Sequence, residues 1–205
     1  MPLVTLQAEV STCTKCLLGH GRTQAVFGRG PIPCDLMFVG EAPGGEEDLQ
    51  GEPFVGPAGR VLANLMKKAG IKEAYITNLL KCRPRGNRDP EPEEIQACRP
   101  YLEQQILAVQ PRVLVALGRF AAANLSMTFG PISSLMEVEL HWRPMTVDPS
   151  TAPRTVEGEP LPVVALFHPA YFLRLMQADR GRARVEMLDA VARLRAAHEE
   201  ARIPF

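Results

Sequence analysis

The chain has 205 residues, 46% of them hydrophobic and 22% charged, and its 23 basic and 23 acidic side chains cancel. That balance excludes a strongly basic nucleic-acid-coating protein, so any contact with a polyanion must come from local patches. The sequence has no apolar run long enough to span a membrane, and MPLVTLQAEVSTCTKC lacks the basic-then-apolar order of a signal peptide, so a cytoplasmic protein is expected. The length suits one domain over residues 1–205.

In chain order the first feature is the pair Cys13 and Cys16, answered far downstream by Cys82 and Cys98. In a reducing compartment these do not read as disulfides. Thiolates bind Zn²⁺ or iron–sulfur clusters, and both accept four cysteines. Cys34 opens the apolar run CDLMFVG and reads as a small buried hydrophobe.

That run predicts a buried strand, punctuated by Gly40 and Pro43. The turn after it, GEAPGGEED, is crowded with carboxylates and lacks the Gly-Lys-Ser/Thr order of a phosphate-binding loop. Whatever lies over it is neutral, or becomes positive during reaction. Glu46 and Asp48 read as a solvated acidic loop. GPAGRVLANLMKKAG predicts a helix that Pro57 starts and Gly70 stops, with Val61, Leu62, Leu65, Met66 and Ala69 on one face. AYITNLL is a second strand, in which the polar Asn78 demands a partner.

The loop KCRPRGNRDPEPEE holds the densest basic patch, Lys81, Arg83, Arg85 and Arg88. It leads into a helical pattern through Ile95, Leu102, Ile106 and Leu107, where Pro100 predicts a kink or two abutting helices. RVLVALG is a third strand and RFAAANL a short helix. Residues Ser126 to Pro162 show no period, and turns with a hairpin around LMEVELHW are expected. PVVALF is the fourth strand, breaking at HPAY, where His168 is a better candidate for chemistry than His20, His141 or His198. The last helix is expected to bury Val185, Leu188, Val191 and Leu194. Apolar strands alternating with helices predict an α/β protein whose parallel sheet is covered on both faces. The acidic turn, Asn78 and HPAY all fall at strand carboxyl ends, where such sheets bind ligands.

GEAPGGEED, GEPFVGPAG, YITNLLKCRP and HPAYFLR, in this order with the four cysteines, resemble the family 4 uracil-DNA glycosylases. The resemblance runs from about Cys13 to the last helix. It implies a three-layer α/β/α sandwich around a four-stranded parallel sheet. It also implies one [4Fe–4S] cluster on Cys13, Cys16, Cys82 and Cys98, uracil-containing DNA as substrate, free uracil as product, and a monomer. Glu41 is then the first candidate for positioning water and Glu47 the second. The related family with a catalytic Asp in this turn has it one position later, at Ala42. Phe54 resembles the stacking residue of a uracil pocket completed by Glu41, Ala42, Asn78 and His168. Leu173 resembles a wedge entering the duplex beside the flipped base. Arg174 resembles a phosphate contact, and Lys81, Arg83 and Arg85 sit where phosphate is expected.

Two departures matter. The stretch between Leu125 and Pro162 is longer and less regular than the family's short hairpin. The loop after the Asn78 strand lacks the basic, histidine-bearing insertion of relatives that trap uracil-DNA covalently, so hydrolysis is favoured over non-turnover trapping. An unrelated iron–sulfur redox or nucleotide-binding protein is disfavoured by the missing P-loop, G-x-G-x-x-G turn and second-cluster cysteines.

Overall fold

The structure, a computed structural model, describes residues 3–148, 150 and 160–202. Part of the irregular stretch before Pro162 therefore lies outside the described residues. Helices α1 (Leu3–Ser11) and α2 (Leu18–Gly21) precede strand β1 (Leu36–Gly40). Then follow α3 (Gly45–Gln50), α4 (Pro57–Ala69), β2 (Tyr75–Asn78), α5 (Pro92–Val109), β3 (Val113–Leu117), α6 (Arg119–Ser126) and α7 (Ile132–Leu135). The last elements are β4 (Leu140–His141), β5 (Pro162–Leu166), α8 (Pro169–Ala178) and α9 (Arg180–Ala201). No helix among the described residues is long and apolar enough to cross a membrane.

The strands order as β2-β1-β3-β5-β4. The first four are parallel, as expected, but β4 adds a fifth, antiparallel to β5. The sequence LHW alternates to suit it: Leu140 and Trp142 are buried, and Trp142 N–H donates to Leu161 O at 2.8 Å. The expected hairpin thus becomes an edge strand pairing with β5 across the long connection.

Alternation along β1 and β3 splits the core into two layers. Met37, Val39, Leu114 and Ala116 face α5 and α6. Leu36, Phe38, Val113 and Val115 face α4, α8 and α9. In α4, Val61, Leu62, Leu65 and Ala69 form one buried face, with Pro57 in the first turn and Gly70 in a left-handed C-cap. Burying each such leucine contributes about 1.5–3 kcal/mol.

Three local expectations change. Helix α5 is one element of 18 residues with Pro100 in its interior, not two abutting helices. Both ends tie it down, since Glu94 accepts the Glu91 N–H at 2.9 Å and Gln110 supplies a left-handed cap. Helix α9 exposes Val185 and Leu188, and its buried face is Ala183, Ala190, Val191, Leu194, Ala197 and Ala201. Val191 and Leu194 are thus buried as expected, and the alanines on that face let α9 lie close on α4 and α8. The acidic turn is helical and not a loop, although Glu46 is exposed as expected. Glu46, Glu47 and Asp48 form the first turn of α3, where carboxylates oppose the positive end of the helix dipole. Asp48 is buried and accepts the Thr23 N–H at 3.0 Å.

Candidate active site

The carboxyl ends of β1, β2 and β5 place Gly40, Asn78 and His168 side by side. Gly40 and Asn78 are register partners in the parallel pair. A Cβ on Gly40 would collide with Asn78 Oδ1 and stand 2.6 Å from Phe54 Cζ, so only glycine leaves room for both side chains. Phe54 and Asn78 therefore meet in front of this one residue.

Asn78 is 2% exposed, and among the described residues its Oδ1 is the one buried side-chain atom without a hydrogen-bond partner. An orphaned buried acceptor costs about 1–3 kcal/mol, a cost that a ligand N–H offsets. Phe54 adopts φ 54°, a left-handed conformation that a bulky residue avoids unless its surroundings impose it. Here Glu47 imposes it. Its Oε1 accepts the N–H groups of Val55 at 3.0 Å and Gly56 at 2.9 Å, and Arg29 Nε donates to Pro53 O at 3.2 Å. Gly59 lets this loop rest on α4, because a Cβ there would strike Phe54 O.

The Phe54 and His168 rings lie 5.9 Å apart at 35°. His168 caps α8, its Nδ1 accepting the Ala170 N–H at 3.2 Å. Burial, with Arg174 adding to it and Glu47 opposing, lowers its pKa to about 4. The ring is neutral near pH 7, and with Nδ1 accepting, its proton sits on Nε2.

Glu41 follows Gly40 at the head of β1 and is half-buried. Burial first, then Asp89, raises its pKa to about 7, against the pull of Arg119. Arg119 and Asp89 are themselves paired at 3.7 Å. A carboxyl that titrates near neutrality, an aromatic platform, an unsatisfied acceptor and a neutral imidazole N–H together suit a flat, polar, heterocyclic ligand.

The sequence profile of the uracil DNA glycosylase superfamily matches residues 27–192. The chain is 43% identical to a type-4 uracil-DNA glycosylase of Archaeoglobus fulgidus over 175 residues, covering 80% of each chain. It is 39% identical to a type-4 uracil-DNA glycosylase of Thermotoga maritima over 174 residues, 81% of this chain and 80% of that one. It is also 34% identical to a type-5 uracil-DNA glycosylase of Thermus thermophilus over 122 residues, 51% and 55% of the two chains. The chain belongs to the type-4 uracil-DNA glycosylases.

Ala42 packs with Cys82, Leu18 and Leu80 on the cysteine side of the site. Cys13, Cys16, Cys82 and Cys98 line the wall of one small cavity, with Lys15, Arg22, Lys81 and Tyr101. Two donors point at its sulfurs: Arg22 Nη1 reaches Cys82 Sγ at 2.9 Å and Lys81 N–H reaches Cys98 Sγ at 3.3 Å. Among the described residues no three His, Cys, Asp or Glu side chains are gathered as a single-ion shell. Cys34 lies apart, buried in the α5-side core.

Lys81, expected at a phosphate, is not on the surface. It is 1% exposed, and its Nζ donates to Thr77 Oγ1 at 2.9 Å and Asn78 O at 2.5 Å, so a phosphate cannot reach it. Arg88 is spent as well, its guanidinium forking onto Glu94 at 2.5 and 2.9 Å. The patch contracts to Arg85, which is exposed, and Arg83, whose Nε donates to Asn87 Oδ1 at 2.8 Å. Arg174 is exposed on α8, while Leu173 is half-buried against the core and shares a groove with Lys68, Arg180 and Arg184.

Sequence reasoning missed Arg22, the Arg119–Asp89 pair beside Glu41, and the grip of Glu47 on residues 55 and 56. No local spacing announces the first two. The third had a signal, because Gly44 before three acids is a helix start, which fixes where the Glu47 side chain points.

Proposed function

We propose that this protein hydrolyses the N-glycosidic bond of uracil in DNA, leaving an abasic site and initiating base-excision repair without strand-cleaving activity of its own. The observation that carries the reading is the orphaned Asn78 Oδ1 beside the Phe54 ring. An extruded uracil stacks on Phe54. It gives its N3–H to Asn78 Oδ1 and takes the Asn78 amide N–H on O4. The His168 Nε2–H meets O2, where negative charge gathers as the base leaves. A neutral imidazole suits this donation, since it stabilises the anion without surrendering its proton.

Glu41, ionised above pH 7, supplies the anionic group that faces the developing oxocarbenium sugar and orients water toward it. Glu47 is better suited to holding Phe54 in place than to contacting water, because its Oε1 is already committed to two N–H groups.

Cys13, Cys16, Cys82 and Cys98 would hold one [4Fe–4S] cluster. The convergence of four thiols and of N–H donors aimed at sulfur supports the fit. When bound, the cluster supplies a cross-link between the N-terminal segment and the chain from β2 into α5. Purified protein incubated with a labelled uracil-containing oligonucleotide and then with alkali should give a strand break at the uracil. No break over a range of salt concentrations would sink the reading.

A further inference from the structure

The ammonium of Lys81 is buried without a carboxylate. Its acceptors are neutral oxygens, Thr77 Oγ1 and the backbone carbonyl of Asn78. Lys81 lines the small cavity walled by Cys13, Cys16, Cys82 and Cys98, and Cys98 Sγ accepts its backbone N–H at 3.3 Å. A desolvated cation held only by neutral oxygens is costly, and a protein retains one when an anion stands opposite. The four cysteines, deprotonated on binding the proposed cluster, would provide that anion.

The same side chain reaches the base pocket. β2 is an edge strand, covered there by the Arg29–Ile76 bridge and by Val26 N–H on Lys81 O. Beyond Ile76 side chains make the ties. Thr77 Oγ1 donates to Phe27 O at 2.7 Å, and Gln105 Nε2 shares that carbonyl at 2.8 Å. Lys81 Nζ grips Asn78 O, the backbone carbonyl of the residue whose side-chain Oδ1 lacks a partner. Lys81 therefore holds the residue proposed to read the base and also lines the cavity walled by the four thiols.

We propose that Lys81 is a positioning residue that fixes the Asn78 backbone for base recognition and serves as counter-charge to the thiolate set. The inference rests on the proposed glycosylase reading and on the cluster assigned to these cysteines. Removing the ammonium affects both ends at once. The Asn78 carbonyl loses its donor, so the amide is less well placed and base capture weakens. The thiolate set loses a neighbouring cation, which disfavours the more negative, reduced cluster and moves its midpoint potential in the negative direction.

The test compares wild type, Lys81→Met and Lys81→Arg, purified anaerobically. Iron per chain, midpoint potential without DNA, and single-turnover excision against enzyme concentration are measured for each. Lys81→Met should raise the half-saturating concentration roughly tenfold, more than it lowers the plateau rate, and shift the potential negative. Lys81→Arg should restore the potential. An iron-loaded Lys81→Met with wild-type potential and wild-type half-saturation overturns the inference. Should Lys81→Met not fold, Thr77→Val removes one acceptor while keeping the charge. It should raise the half-saturating concentration at wild-type iron content, and an unchanged value overturns the inference equally. A wild type that releases no uracil sinks the glycosylase reading instead, so the two failures are distinct.

Discussion

The backbone N–H of Ala170 donates to Nδ1 of His168 at 3.2 Å, and that bond fixes the imidazole as an Nε2–H donor. Burial keeps it neutral, with a pKa of about 4 against an ordinary 6.5. NMR titration of the ring should find that low value. His168→Ala should slow single-turnover base release by roughly 10², as for loss of one preorganised donor. Because the folded pKa lies below the unfolded one, stability from this group is present above pH 6.5 and lost as pH falls toward 4. Denaturant melts of wild type and His168→Ala across that window check the sign.

Glu41 behaves in the opposite sense. Its folded pKa, raised to about 7, exceeds the ordinary 4.5, so the folded state holds the proton more tightly and stability declines as pH rises between those values. With ionised Glu41 as the proposed working form, the single-turnover rate should rise tenfold per pH unit below 7 and level off above it. Glu41→Gln should be slow and flat over the same range. A wild-type rate independent of pH from 5 to 8 would remove Glu41 from the role.

Glu47 should separate from Glu41 in the same assay. Glu47→Ala leaves the Val55 and Gly56 N–H groups without their acceptor and should cost about 1–3 kcal/mol of stability. Its kinetic defect should fall on half-saturation, because Phe54 loses its support, while the pH profile keeps its wild-type inflection. A lost inflection would return the water-positioning role to Glu47.

The exposed charge proposed to meet DNA is small and local. Arg85 and Arg174 are exposed, whereas Arg88 is occupied by Glu94. Neutralising Arg85 or Arg174 should each lower the slope of log affinity against log salt by about 1, and Arg88→Gln should leave it unchanged. Filter binding to an abasic-site duplex at several salt concentrations measures this.

The strands were legible because buried parallel strands are uniformly apolar and Gly or Pro brackets them. Asn78 stood out for the same reason, as a polar residue inside such a run. Lys81 misled because its neighbours in sequence are surface arginines, and one-dimensional charge clustering carries no burial. It points inward because the edge strand needs a donor at Asn78 O. In helix α9 Val191 and Leu194 follow the apolar pattern, whereas Val185 and Leu188 are exposed because the helix packs through alanines there. The acids after β1 could be placed on a helix only by weighing Gly44 as an N-terminus.

The central claim is that Asn78 reads the base, and single-turnover excision by Asn78→Leu on matched uracil and cytosine oligonucleotides tests it most directly. Wild type should release uracil and spare cytosine, whose bare N3 and N4 amino group mismatch both Asn78 contacts at about 1–3 kcal/mol each. Leucine satisfies neither base, so the variant should keep its fold and release neither. Near-wild-type uracil release by Asn78→Leu would contradict the account, since the orphaned Oδ1 would then have no part in choosing the base.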